Sequence, residues 1–64
     1  MTHQERKTAY NDAADTGRVM GNKAYSDYID GLVSYTELKA IEAASNQYVM
    51  HRQDHIDGIY EASL

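Results

Sequence analysis

The fold is decided by residues 27–38, which read Asp27-Tyr28-Ile29-Asp30-Gly31-Leu32-Val33-Ser34-Tyr35-Thr36-Glu37-Leu38. Gly31 has no Cβ, so it can adopt the left-handed conformation that ends a helix. Ser34 and Glu37 form a capping box, in which each side chain accepts a hydrogen bond from the backbone N–H of the other residue. Val33 and Leu38 stand at the two positions of a hydrophobic staple. The segment therefore predicts a helix end and a helix start, joined by a turn over residues 31–33.

On either side of this corner the sequence predicts one long helix. The chain has no proline, and Thr2 and Glu5 form a second capping box, so the first helix is expected over residues 3–30. Beyond the turn, apolar residues recur at helical spacing from Tyr35 to about Asp57, which predicts a helix over residues 35–57. We therefore expect an all-α, antiparallel helical hairpin that forms a single domain over residues 1–64.

The first helix is rich in small residues, which recur every four positions at Ala9, Ala13, Gly17 and Gly21. This spacing allows a neighbouring helix to approach closely. Each glycine, however, weakens a helix by about 1 kcal/mol relative to alanine. A break near Gly21, which would give a compact three-helix monomer, is therefore the alternative to a continuous helix.

Part of the corner sequence is repeated later in the chain. Residues 54–59 read Asp-His-Ile-Asp-Gly-Ile and share four of six residues with residues 27–32, 27 positions earlier. The flanking residues do not match, which favours two independent uses of one helix-ending pattern over a duplication. By this interpretation the second helix ends near Asp57 and Gly58.

Length and composition predict a small protein that needs a partner surface. A chain of about 60 residues buries only about 60% of the surface that its unfolded form exposes. The 64 residues include no cysteine, so disulfides and thiolate metal sites are excluded. Because one side of each apolar stripe would stay wet in an isolated hairpin, we expect a homo-oligomer, as a dimeric four-helix bundle. In a chain without Phe or Trp, Tyr28 and Tyr48 are expected to fill part of the core.

Charge and hydropathy restrict location and partners. The net charge is −4; residues 1–25 carry four basic and three acidic residues, whereas residues 26–64 carry two basic and seven acidic ones. This chain lacks the basic stripe of a nucleic-acid binder, so no direct nucleic-acid binding is expected. No signal peptide or membrane span is apparent, which predicts a cytoplasmic protein without membrane contact. An acidic half favours a partner protein with a basic surface.

Seven side chains are candidates for partner binding. Asp54, Asp57 and Glu61 share one face at the C-terminal end of the second helix, where the helix dipole disfavours negative charge. Acidic residues at this unfavourable position, without a visible compensating group, indicate a functional role. The alternative is pairing with Arg6 and Lys7, which an antiparallel hairpin brings to the same end. Tyrosines are enriched at interfaces and lie around the corner, so the candidate set is Tyr25, Tyr28, Asp30, Tyr35, Asp54, Asp57 and Glu61.

No pattern indicates catalysis, a cofactor or a metal. The corner superficially resembles an EF-hand calcium loop, but Ser26 and Tyr28 would occupy positions that need stronger oxygen ligands. His51 and His55 are four residues apart, a spacing that can bring two imidazoles to one metal, yet the glutamate of the metalloprotease pattern is replaced by Arg52. A metal-responsive switch at these histidines is the least favoured interpretation, and we expect no enzyme.

The sequence is best interpreted as that of a small acidic protein–protein interaction module. In its length, acidity and lack of cysteine, the chain resembles the small accessory and host-takeover proteins that bacteriophages encode. The resemblance implies an inhibitor or adaptor that occludes a basic, nucleic-acid-handling surface of another protein. The alternative function is that of a structural or assembly component that self-associates through its helices.

Overall fold

The structure, a computed structural model, describes residues 1–64. It consists of two α-helices, α1 over His3–Ile29 and α2 over Tyr35–Ala62. The helices pack side by side along their length, from Tyr28 and Tyr35 at the turn to Arg6 and Asp57 at the open end. The Cα atoms span 48 × 16 × 8 Å. The predicted all-α helical hairpin is confirmed, and neither helix has a stretch long and apolar enough to cross a membrane.

Both helices begin at the predicted capping boxes. Thr2 Oγ1 accepts from the Glu5 N–H at 3.1 Å, and Glu5 Oε1 accepts from the Thr2 N–H at 3.1 Å. Ser34 and Glu37 make the same reciprocal pair, at 3.1 and 3.2 Å. These bonds satisfy two N–H groups that have no partner within each helix.

A Schellman motif ends α1. Gly31 has a φ of +78°, its N–H donates to the Tyr28 carbonyl at 3.1 Å, and the Leu32 N–H donates to the Asp27 carbonyl at 2.8 Å. These are the two bonds that define the motif when the residue after the cap is left-handed. The corner therefore has the chemistry that the sequence predicted.

The second predicted helix end is wrong. α2 continues through Asp57 and Gly58 to Ala62, and Gly31 is the only residue with a positive φ. Continuation brings Tyr60 against α1, where the Arg6 guanidinium lies 4.7 Å from the centroid of its ring. At Gly31, by contrast, a new capping box follows at once and begins another helix.

The three-helix alternative is also wrong, because α1 continues without a break through Gly17 and Gly21. The buried residues are few and mostly small: Ala13, Gly17 and Ala24 from α1, and Leu38, Ser45 and Ile56 from α2. Ser45 Oγ donates to the Gly17 carbonyl at 2.7 Å. This bond and the missing Cβ of Gly17 bring the two backbones close together at the middle of the hairpin.

Neither of the two tyrosines that were expected in the core is buried. Tyr28 and Tyr48, expected in the core, are 37% and 38% exposed. The buried positions between the helices are held by small residues and by Leu38 and Ile56. The prediction for the two tyrosines is therefore wrong.

Candidate interaction surfaces

The turn carries a cluster of exposed apolar side chains. Exposure is 58% for Tyr25, 64% for Ile29, 73% for Leu32 and 59% for Tyr35. We call these four residues and Tyr28 the corner patch. Single exposed apolar residues are normal on protein surfaces, whereas a contiguous group is typical of an interaction site.

Two of the three tyrosines of the corner patch contact each other. The rings of Tyr28 and Tyr35 meet edge to face, with centroids 6.1 Å apart. Lys39 Nζ lies 5.3 Å from the Tyr35 centroid, and it also donates to Glu42 at 3.2 Å. Both Glu42 and the Tyr35 ring help to raise the pKa of Lys39 above its ordinary value, Glu42 more strongly. The aromatic surface is thus partly pre-ordered, which lowers the entropy cost of binding.

Asp30 is the free acidic group beside this patch. Asp27 is paired with Lys23 at 3.0 Å, and the Glu37 carboxylate belongs to the capping box. The Asp30 side chain is exposed and makes no hydrogen bond or salt bridge. The structure therefore brings the predicted Tyr25, Tyr28, Asp30 and Tyr35 together at one end of the molecule.

The predicted acidic patch at the open end is partly used within the chain. Arg6 donates to Asp57 Oδ1 through Nε at 3.1 Å and Nη2 at 2.9 Å. The Tyr10 hydroxyl donates to the same oxygen, and the Arg6 guanidinium stacks over Tyr10 and Tyr60, 5.2 and 4.7 Å from their centroids. The alternative in which Arg6 pairs with Asp57 is the one observed.

This network shifts the ionisation of its members. The hydrogen bond from Tyr10, followed by the one from Arg6, lowers the pKa of Asp57. Bonding to the carboxylate raises the pKa of the Tyr10 phenol, and bonding to Tyr10 and Asp57 raises the pKa of Arg6. Asp54 and Glu61, by contrast, are exposed and make no salt bridge, so they remain the free part of the predicted acidic patch. Lys7, the other predicted partner, makes no salt bridge either.

The structure adds two residues that sequence reasoning missed, Ile29 and Leu32. Both flank the helix stop, where α1 ends and the chain leaves the helix interface. The available signal was the presence of two large apolar residues close to the helix-ending Gly31, Ile29 before it and Leu32 after it. They enlarge the apolar part of the corner patch beyond its tyrosines.

A groove between the helices is the largest concave feature. It has a volume of about 700 Å³ and is lined by Ala14, Gly17, Gly21, Ser45, Val49 and Met50, with Arg18 and Glu42 among its polar residues. The groove lies where small side chains leave space on the surfaces of the two helices. No group of three or more His, Asp or Glu side chains is arranged to hold a metal ion, and the switch at His51 and His55 stays a prediction.

Comparison of the chain with protein-family models, with curated proteins and with solved structures finds no match.

Proposed function

We propose that the hairpin is a small acidic protein–protein interaction module, an inhibitor or adaptor, which binds another protein through the corner patch. The observation that supports this proposal is the exposure of four large apolar side chains at one end of a 64-residue chain. Burying a large apolar side chain contributes about 1.5–3 kcal/mol. The corner patch therefore offers apolar surface whose burial would favour a complex.

The charge around the patch suggests the chemistry of the partner. Asp30 is unpaired beside the apolar side chains, and residues 26–64 carry five more acidic than basic groups. A partner with an apolar pocket rimmed by Lys or Arg would satisfy both. Inhibition would then be steric, with Asp30 competing for the partner's basic groups beside the corner patch. Asp54 and Glu61 lie toward the open end, so they would take part only with a partner that spans the length of the hairpin. The likeness to phage accessory proteins favours a nucleic-acid-handling protein as the target.

A matched pair of variants tests this proposal. Leu32→Ser removes the most exposed apolar side chain of the corner patch, whereas Val19→Ser removes a similarly exposed one, 66% accessible, from the outside of α1. Tagged proteins would be used to capture partners from lysate at low and high salt. We expect a stoichiometric basic partner that Leu32→Ser loses and Val19→Ser retains. Equal capture by both variants would refute the corner patch as the binding site.

We also infer that the hairpin self-associates into a dimeric four-helix bundle, as a structural or assembly component would. The supporting observation is the small core, since only six of 64 residues are buried. Within one hairpin each helix covers only one side of the apolar stripe of the other helix. The two helices of a second hairpin would cover the remaining side of each stripe. Sedimentation equilibrium of the purified chain tests this inference, and a monomer at millimolar concentration would refute it.

A further inference from the structure

One broad side of the hairpin, here called the groove face, carries the groove and is bracketed by tyrosines. Tyr10 precedes Ala14 by four residues and Tyr25 follows Gly21 by four, so all four lie on one side of α1. At the open end Tyr10 meets Tyr60 through Arg6, and at the corner Tyr28 meets Tyr35. Between these two groups of tyrosines lies the groove, whose lining includes the small residues of both helices.

The outline of one broad side of the hairpin is in the size range of a stable protein interface. The hairpin is 48 Å long and 16 Å wide between Cα atoms, so the projected outline of that side is about 770 Å². A standard specific interface buries roughly 800 Å² on each partner. A dimer that covers one broad side along the full length of the hairpin is therefore in the size range of a specific interface.

The charges that line the groove are self-complementary. Arg18 and Glu42 are the only ionised side chains among its lining residues, so the groove is neutral although the chain carries −4. Each has its own neighbour on the same helix, Asp15 for Arg18 and Lys39 for Glu42. A second copy that approaches the groove therefore meets one positive and one negative group in its lining.

We propose that the occupant of the groove face is a second copy of this chain. The twofold axis runs along the hairpin, so that α1 of each copy lies on α2 of the other and every neighbouring pair of helices is antiparallel. This arrangement places Met50, which is 62% exposed, over Ala14 of the second copy. It also places Arg18 of each copy beside Glu42 of the other. The proposal rests on the self-association inferred above and names the surface that carries it.

Gly21 and Gly58 supply a matched pair of variants. Both glycines lie inside helices, and a Cβ at either position would meet nothing within 4 Å in the single hairpin. Gly21 lines the groove, whereas Gly58 is exposed outside it. Gly21→Gln and Gly58→Gln therefore gain helix propensity equally, but only the first places a long side chain in the proposed interface.

Sedimentation equilibrium over a micromolar-to-millimolar series measures the dimer Kd of the wild type and both variants. Circular dichroism confirms that each remains helical. We expect Gly21→Gln to raise the dimer Kd at least tenfold and Gly58→Gln to leave it within about twofold. As a test of the axis, Arg18→Glu should weaken the dimer several-fold and the double variant with Glu42→Arg should restore it.

Each alternative outcome has a separate meaning. A monomeric wild type would overturn self-association, and the groove-face proposal with it. A dimer that Gly21→Gln leaves intact would overturn the groove face alone. If Gly21→Gln instead abolishes capture of a foreign protein while the dimer persists, the groove holds that protein and not a second copy. Failure of the charge swap would overturn the proposed axis.

Discussion

The close approach of the helices at Gly17 can be tested by adding a single methyl group. An alanine Cβ at this position would lie 2.5 Å from Val49 Cγ2 and 3.3 Å from Ser45 Oγ. Contacts between carbon atoms are ordinarily near 3.5–4.0 Å, so either Val49 or the helix backbone must shift. The same substitution at Gly58 meets nothing within 4 Å.

Two opposing terms determine the size of the effect. Replacing glycine by alanine inside a helix stabilises it by about 1 kcal/mol, and this term is shared by Gly17→Ala and Gly58→Ala. Overpacking a tight interface costs about 1–3 kcal/mol, and only Gly17→Ala incurs it. The difference between the two variants therefore reports the steric overlap when both are compared at concentrations at which the chain is monomeric, and we expect Gly17→Ala to be less stable than Gly58→Ala by about 1–3 kcal/mol.

Thermal unfolding followed by far-UV circular dichroism measures this difference. For a domain of this size, each kcal/mol shifts Tm by about 4–8 °C. All samples need the same protein concentration, because self-association would itself raise Tm. Val49→Ala provides the internal check, since removing the clashing methyl groups should recover at least about 1 kcal/mol of the loss in a double-mutant cycle.

One result would refute this reasoning. If Gly17→Ala stabilises the hairpin as much as Gly58→Ala does, the added methyl has free space and the helices do not meet at Gly17. A loss that Val49→Ala fails to relieve would assign the strain to Ser45 or to the backbone instead.

Three further substitutions test the open end, the corner and the core. Because the folded-state pKa of Asp57 is lowered by Tyr10 and then Arg6, its network stabilises the fold above the unfolded-state pKa of about 3.9. That stability is lost as the pH falls through the lowered pKa, so Asp57→Asn should flatten the fall of Tm below about pH 4. Ser34→Ala removes the cap of α2 and should cost about 0.5–2 kcal/mol in thermal unfolding. Ile56→Ala truncates the most deeply buried side chain, 1% exposed, and should cost about 2–5 kcal/mol in urea unfolding.

The chain offers a control for each substitution. Asp54→Asn, at an exposed carboxylate without a salt bridge, should leave the acid limb of the Tm profile unchanged; an equal effect of both changes would remove the special role of the Arg6 network. Ser26→Ala, in the interior of α1, should lose nothing, and a loss as large as that of Ser34→Ala would contradict a capping effect. Ile59→Ala, at a 43% exposed position, should cost far less than Ile56→Ala if the core lies where the structure places it.

The features that depend on local chemistry were predictable from the sequence. Gly31, Ser34 and Glu37 act through hydrogen bonds to residues a few positions away, so the end of α1 and the start of α2 follow from their order. The capping box at Thr2 was predictable for the same reason. The pairing of Arg6 with Asp57 followed from the antiparallel arrangement, although the sequence left it open beside a free acidic patch.

The features that depend on tertiary packing were not predictable. Gly58 has nearly the same neighbours as Gly31 but remains helical, because continued helix brings Tyr60 to Arg6. Gly21 carries the propensity for a break, yet α1 runs through it because the contact between Gly17 and Ser45 holds the helices together. Ile29 and Leu32 were missed because apolar pattern alone does not distinguish residues beside a turn from residues in a core.

The antiparallel pairing also determines the order in which contacts can form. Tyr28 and Tyr35 are close in sequence, whereas Gly17 and Ser45 are 28 positions apart and Arg6 and Asp57 are 51 apart. The entropy of loop closure grows with this separation, so the fastest route to the hairpin starts at the turn and adds contacts toward the chain ends. Local opening follows the reverse route, and amide protons near His3 and Ala62 should exchange before those near the turn.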